Sequence, residues 1–450
     1  MKFETIRSKK KILLIGIILF CVSVTLILAT SLAAYKKTTT IKIAEGTVNY
    51  IIPDFKMIAL KQWNEEIGEY EDVGVMPSGS EYVISEDSYC EVLGEKDENV
   101  VLYTDSKGQH VISNIQKKSK CYLYFEKRST GSKYILANSK MRSGTPNFAN
   151  TSCTSGSNNG GHCREETVGL YCWDIDTNES CTSSSENKTY FYRGNVKNNY
   201  VKFAGFYWRI IRINENGSIR MIYQGRTKDD YGNELEIQNV GDETQLAETS
   251  SFNTDYNRAE YVGFKYELEN AHGTDDKSTI LSALETWYAN ELQNYEEYLD
   301  TESGFCGDRS AYTDTSGTTA GGGTGSTRTY YGTYTRLCTN KAPSFKCSDN
   351  GNDLYKTKIG LITADEVAYA GGTNTWINYS YYLYTGNLYW TLSPGIFDGS
   401  YANVFLMGNT GGLDFTRVQH SYGVRPVINL SADNLIILGS GLAIDPYVIS

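Results

Sequence analysis

The sequence predicts a three-part chain: one membrane-spanning helix, a small all-β domain and a larger α+β domain. Three observations carry this. Residues 12–34 form a 23-residue run without a single charge, long enough at about 1.5 Å per residue to cross a bilayer's hydrocarbon core of about 30 Å. Residues 41–128 alternate apolar and polar positions with period two, in short runs broken by Ser, Gly and Asp, which is the pattern of half-buried strands. Beyond about residue 190, strand-like runs interleave with segments of helical period.

The charge distribution orients the first element. Of 42 Lys+Arg and 53 Asp+Glu in the 450 residues, five basic side chains and one Glu fall in residues 1–11. The heavier basic flank predicts a cytoplasmic N-terminus (1–11), an anchor (12–34) and an exported, extracellular body. A cleaved signal peptide, with Ser31-Leu32-Ala33 as the small-x-small site, is the competing reading; the apolar run is longer than the usual h-region. The remainder carries a net charge of −15, which repels phosphate backbones and argues against nucleic acid as a partner. A composition with 40% hydrophobic and 13% aromatic residues excludes a disordered chain.

Within 41–128 the runs IKIAEGTVNYII, EYVISEDSYCEV, ENVVLYT, HVISNI and KCYLYFEK read as the strands of a small sheet or sandwich, a spacer above the membrane. Residues 129–189, rich in Ser, Thr, Asn and Gly, read as a cysteine-containing linker. YVKFAGFYWRIIRI then enters a hairpin with Asn216-Gly217 at its turn. Lys202, Arg209, Arg212 and Arg220, set among apolar residues, suit strands with one wetted face. Residues 278–300 repeat Ile280, Leu281, Leu284, Trp287, Tyr288 and Leu292 at helical spacing. KIGLI (358–362) reads as a buried strand. Thr363-x-x-Glu366 is a capping box that opens the helix ADEVAYA, stopped by Gly371-Gly372. Residues 373–450 hold short aromatic- and Gly-rich strands.

Cys21 lies in the apolar run, leaving nine cysteines in the body. In an oxidising compartment these read as disulfides: Cys90 with Cys121, two bonds among Cys153, Cys163, Cys172 and Cys181, and Cys306 with Cys347. Cys338 is left over. A zinc reading of Cys153, His162, Cys163 and Cys172 has no CxxC spacing to support it.

Three segments in order, LITADEVAYAGG (361–372), YWTLSP (389–394) and YGVRPVINL (422–430), resemble formylglycine-generating-enzyme-like domains, a branch of the C-type lectin fold. Val424 stands where Phe is usual. Together with YFYRGNVKNNYVKFAGFYWRIIRI (190–213), GFCGDR (304–309) and SYGVRPVINLSAD (421–433), they resemble membrane-anchored surface proteins of Firmicutes with a C-terminal domain of unknown function. The resemblance covers roughly 190–450 and implies a C-type-lectin-like domain there. The copper enzymes of that superfamily use a late pair of cysteines, and no cysteine follows Cys347. The related iron enzymes need clustered histidines, whereas His110, His162, His272 and His420 are scattered. The calcium-sugar motifs EPN, QPD and WND are missing. The resemblance therefore implies the scaffold without the chemistry, no cofactor and no enzyme.

Residues 374–401 hold nine aromatic side chains and a single charge, Asp398. Tyr and Trp among Ser, Gly and Asn form the mixture used by binding loops. Trp376, Tyr379, Tyr381, Asp398 and Tyr401 are the candidate ligand-binding residues, weighed against a purely structural role in the sheet core. The polar positions of 397–415 (Asp398, Asn403, Asn409, Asp414) could meet sugar hydroxyls or form two hairpin turns, and Arg425 reads as a structural charge pair beneath the sheet. No G-x-S-x-G elbow or phosphate-binding glycine motif occurs. The expected function is an adhesin-like surface protein binding an extracellular glycan or protein. The alternatives are a formylglycine-generating-type enzyme with a non-standard site and a structural envelope protein.

Overall fold

The computed structural model describes residues 41–43, 56–64, 67–79, 82–85, 87–104, 109–127, 130–148, 161–162, 168–312, 321–348, 353–372, 377–433 and 436–449. Among these, no helix is long and apolar enough to cross a membrane. The tail and anchor at 1–34, Cys153, Cys163 and Trp376 lie outside the described residues. The chain divides into two compact units, one ending at residue 128 and one beginning at 129.

The first unit is all-β. Its strands are β1 (Ile41–Ile43), β2 (Lys56–Asn64), β3 (Glu69–Asp72), β4 (Tyr82–Ile84), β5 (Tyr89–Val92), β6 (Glu95–Lys96), β7 (Val101–Thr104), β8 (His110–Ser113) and β9 (Ser119–Lys127). One sheet runs β3-β2-β9-β5-β6 with β4 also on β9, and a second runs β1-β8-β7. Along β9 the side chains at Ser119, Cys121, Leu123 and Phe125 are buried and those between them are not. This is the period of two read from the sequence. Leu123 and Phe125 pack with Ile84 and Ile112. Cys90 stands directly opposite Cys121 across β5 and β9, and the two form a disulfide.

The second unit is larger and mixed. It comprises α1 (Gly131–Asn138), β10 (Met141–Arg142), β11 (Gly169–Asp174), β12 (Glu179–Ser180), β13 (Lys188–Arg193), β14 (Tyr200–Phe203), β15 (Phe206–Ile213), β16 (Ile219–Arg226), α2 (Thr279–Glu291), α3 (Ala364–Ala370), β17 (Tyr389–Phe397), β18 (Ala402–Met407), β19 (Leu413–Arg417), β20 (Val427–Leu430), β21 (Ile436–Leu438) and β22 (Tyr447–Ile449). A ten-stranded sheet follows the order β10-β11-β13-β15-β14-β22-β21, with β12 on β11, β16 on β15 and β20 on β16. A four-stranded sheet joins Thr329–Tyr330, β17, β18 and β19. Part of the stretch read as a linker, β11 to β13, is thus strand in the larger sheet, and Cys172 bonds Cys181 there.

The β15–β16 hairpin forms as its sequence dictates. Asn216 Oδ1 accepts from Ser218 N–H at 3.0 Å, and Gly217 takes φ 83°, a conformation that glycine adopts without penalty. The expectation of a wetted face does not hold. All eight residues of β15 are buried, and Arg209, Arg212 and Arg220 are buried with them. Helix α2 is capped by Ser278, whose Oγ accepts from Leu281 N–H. It buries Ile280, Leu281, Leu284 and Tyr288 in the main core, each large aliphatic contributing roughly 1.5–3 kcal/mol. It ends at Glu291, and a 3₁₀ segment continues over Gln293–Tyr298. In KIGLI, Ile359, Leu361 and Ile362 are buried as expected, but only Gly360 forms a bridge, to Val427.

Candidate functional site

The site begins at the start of α3. Thr363 Oγ1 accepts from Glu366 N–H at 3.1 Å, and Glu366 Oε2 accepts from Thr363 N–H at 2.9 Å, so the capping box is complete. At the other end, Arg193 Nη1 donates to the carbonyls of Ala368 and Tyr369, a cation placed where the helix dipole favours one.

Capping uses one oxygen of Glu366; the other faces two guanidiniums. Oε1 lies 2.6 Å from Arg220 Nε and 3.2 Å from Arg212 Nε. Arg212 and Arg220 are partners across the β15–β16 ladder. Like charges in that position repel, and Glu366 is the carboxylate that bridges them. Arg212 Nη1 reaches Glu215 at 3.1 Å. The guanidinium of Arg220 lies 4.4 Å from the ring centre of Phe305, and that of Arg212 lies 4.8 Å from that of Phe345. Burial pulls Arg220 down to about 10, against the opposing pull of Glu366.

A second ionic group stands beside the first. Arg336 holds Asp365 through two parallel bonds, Nε to Oδ1 at 3.1 Å and Nη2 to Oδ2 at 3.0 Å. Its Nη1 donates to Asp308 Oδ2 at 3.1 Å. Burial disfavours the Arg336 cation, but Asp365 and Asp308 outweigh that and raise its affinity for the proton above the ordinary value. Burial likewise pushes the Asp308 carboxyl up, and Arg336 with the Ser310 bonds more than reverses it, leaving Asp308 below its usual range. The disulfide Cys306–Cys347 ties the two loop segments that frame these groups. Between them is a cleft of about 230 Å³, lined by both ionic groups together with Thr333, Ser344, Lys346 and Ser393.

The aromatic-rich stretch is placed differently. Tyr381 is 2% exposed, its hydroxyl donating to Gly411 O at 2.9 Å; it packs the core, as do Tyr382, Tyr389, Trp390 and Phe397. Tyr379 is 44% exposed and sits 5.1 Å from Tyr384. Tyr401 stacks on Tyr256 at 5.4 Å and has the Arg417 guanidinium 3.7 Å from its ring centre, so both ring faces are occupied. Asp398 Oδ1 accepts from Ser400 and Tyr401 N–H, which is the work of a turn residue. A shallow groove of about 450 Å³ runs past Leu388, Asn409, Asp414 and Tyr422. Of the described candidates, Tyr381 is buried in the core, Tyr379 is exposed, and Asp398 and Tyr401 adjoin in one turn. Arg425 is fully buried but has no carboxylate partner among the described residues. It donates to Tyr223 O, Leu383 O and Gln224 Oε1, so it is neutral acceptors that satisfy it, not a charge pair.

Two Ser–His neighbourhoods among the described residues bear on nucleophilic chemistry. Ser421 Oγ donates to Thr249, not to His420. Asp353 accepts from Ser348 Oγ at 2.6 Å and contacts His272 Nδ1 at 3.0 Å; the hydroxyl meets the carboxylate directly, so the Ser–His–Asp order of a relay is missing. Among the described residues, no three His, Cys, Asp or Glu are grouped to hold a metal.

The cleft was hidden in the sequence because its residues come from segments as far apart as Ile175 and Ser393. The strand also hides a bulge: the β15–β16 register shifts between Ile210 and Arg212, so Arg209 and Arg212, though three apart, stand opposite Ile222 and Arg220 on one face of the sheet. Comparison with protein-family models, curated proteins and solved structures finds no match to this chain.

Proposed function

We propose that this protein is an exported, surface-held binding protein, and that its C-terminal unit takes a small polar ligand in the cleft between α3, β15–β16 and the Cys306–Cys347 loops. The single observation that supports this is the cleft itself, where buried arginines and carboxylates converge around a cavity of about 230 Å³. Burying ions is expensive and seldom the best route to stability, which favours a use for them. That volume falls just below the usual range for whole ligands, roughly 300–1,000 Å³, and suits one terminal group of a larger partner. Disulfides at Cys90–Cys121, Cys172–Cys181 and Cys306–Cys347 favour an extracellular setting. On this reading the unit is a C-type-lectin-like scaffold, held to the membrane by the 12–34 helix, and its role is adhesin-like.

The test is binding of the purified full chain to arrays of glycans and peptides, repeated with Ser344→Trp, which fills the mouth of the cleft, and with Tyr379→Ala. Loss of binding in Ser344→Trp alone, at unchanged melting temperature, is the expected result. Loss in Tyr379→Ala alone moves the site to the aromatic surface. No binding to either array overturns the reading.

A further inference from the structure

We infer that the cleft recognises the carboxylate of an acidic sugar, a uronate-type residue within a glycan. This rests on the binding reading above and names its ligand class.

The argument is a count of hydrogen-bonding capacity left over inside the cleft. Its buried carboxylates are spent: Asp365 Oδ1 and Oδ2 both accept from Arg336, Asp308 accepts from Arg336 and from Ser310 N–H, and Glu366 accepts on both oxygens. Its donors are not. Arg220 Nη1 donates to Gly304 O and Asn429 Oδ1; its Nε is ion-paired with Glu366 but makes no hydrogen bond, and its Nη2 has no hydrogen-bond partner among the described residues. Three hydroxyls on the wall already accept and, among the described residues, donate to no partner. Thr333 Oγ1 accepts from Arg336, Ser344 Oγ from Lys346 N–H, and Ser393 Oγ from Ala364 N–H. Lys346 is exposed at the rim, and its ammonium is engaged by no described carboxylate.

A cleft with surplus donors calls for a ligand rich in acceptors, since an unmatched donor that is desolvated on binding costs affinity. The four cations lining it (Arg212, Arg220, Arg336, Lys346) are balanced by four anions (Glu215, Asp308, Asp365, Glu366). That balance disfavours a doubly charged phosphate and suits a monoanion held by charge-assisted hydrogen bonds. A peptide's terminal carboxylate carries an amide N–H beside it, which needs the acceptor the cleft has spent. A uronate instead surrounds its carboxylate with a ring oxygen and hydroxyls, which accept.

The experiment is calorimetric titration of the full chain with trigalacturonate and a hyaluronan tetrasaccharide, with their methyl esters, with a neutral galactose trimer, and with trialanine as free acid and amide. At least one free uronate is expected to bind about tenfold or more tighter than its ester, the size of one charge-assisted hydrogen bond. Lys346→Ala should erode that preference several-fold, and Lys346→Arg should restore it. Lys346 is exposed, so the fold survives both. Equal binding of acid and ester, or of the neutral trimer, overturns the carboxylate. Preference for trialanine acid overturns the sugar. If no uronate binds while other array probes do, this inference falls and the binding reading stands; if no array probe binds either, both fall.

Discussion

Replacing Glu366 by Gln measures what the cleft's charges do for the fold. Gln keeps the shape, and at the third helical position it completes a capping box as Glu does. Gln has one accepting oxygen where Glu366 uses two, so when that oxygen keeps the cap the NH2 faces the guanidiniums in place of a carboxylate oxygen. The lost charge faces Arg220 at 2.6 Å and Arg212 at 3.2 Å, with the three side chains 1–10% exposed. Breaking a buried ion pair by removing one partner costs about 3–5 kcal/mol. Glu215 still pairs with Arg212, but Arg220 is left facing an amide donor or the cap is lost, so the expected loss is in the middle of that range, about 4 kcal/mol. Glu366→Ala should lose about 1 kcal/mol more, because the reciprocal cap goes as well. The assay is urea unfolding followed by tryptophan fluorescence, which the buried Trp208 and Trp390 report for this unit. A third variant, Arg212→Met with Arg220→Met and Glu366→Leu, replaces the whole set with apolar side chains; such exchanges are often neutral or stabilising, so it should be more stable than Glu366→Gln. A loss below about 1 kcal/mol in Glu366→Gln would mean that water screens these charges, and the reasoning from burial would be refuted.

Three further outcomes follow from the same structure. Asp308 has a folded-state value below the unfolded one near 4, so its contribution is fully present above that pH and is lost as pH falls through the folded value; Arg336→Met should move the acid-unfolding midpoint upward, toward pH 4, as read by circular dichroism. Burial pushes the Cys338 thiol up to about 11, so at pH 8 native alkylation, followed by mass spectrometry, should be on the order of a hundredfold slower than for a free thiol of about 8.5; a rate close to that of the unfolded chain contradicts this. Cys90 and Cys121 are 31 residues apart, and their bond should contribute roughly 3.7 kcal/mol on the chain-entropy account; Cys90→Ser with Cys121→Ser should therefore unfold the first unit at distinctly lower urea, and an unchanged midpoint would show that the small core of Ile84, Ile112, Leu123 and Phe125 suffices alone.

What was legible in the sequence was local. The β15–β16 turn, the α3 capping box and the alternation along β9 each depend on residues a few positions apart, and each formed where the pattern put it; the helix read over 278–300 formed too, but stopped at Glu291. The Cys90–Cys121 and Cys306–Cys347 pairs were also found. The aromatic density of 374–401 was read correctly as unusual, but its residues separated by burial: Tyr381 went to the core, Tyr379 to the surface, and Asp398 to a turn. Composition cannot make that distinction, because a tyrosine filling a sheet and one awaiting a ligand look alike in sequence.

The cleft escaped for a related reason, and its arginines show how. An arginine between apolar neighbours is ordinarily read as marking a wetted face, because burying its charge alone costs several kcal/mol. That cost falls when a carboxylate arrives from elsewhere in the chain, and Glu366 lies about 150 residues beyond Arg212 and Arg220. Local pattern therefore assigns such residues to solvent, where the fold assigns them to an ionic cluster. Spacing gave no clue either, because the register shift between Ile210 and Arg212 sets Arg209 and Arg212 opposite Ile222 and Arg220, on one face of the sheet. The two arginines found different answers. Arg209 lies under the Tyr200 ring and donates to Asn199 and Val196 O, a closed and neutral arrangement. Arg212 joined Glu366 and Glu215 at the edge of a cavity. One is fully satisfied within the fold and the other borders open donors, and that contrast is what supports the proposed site at the second.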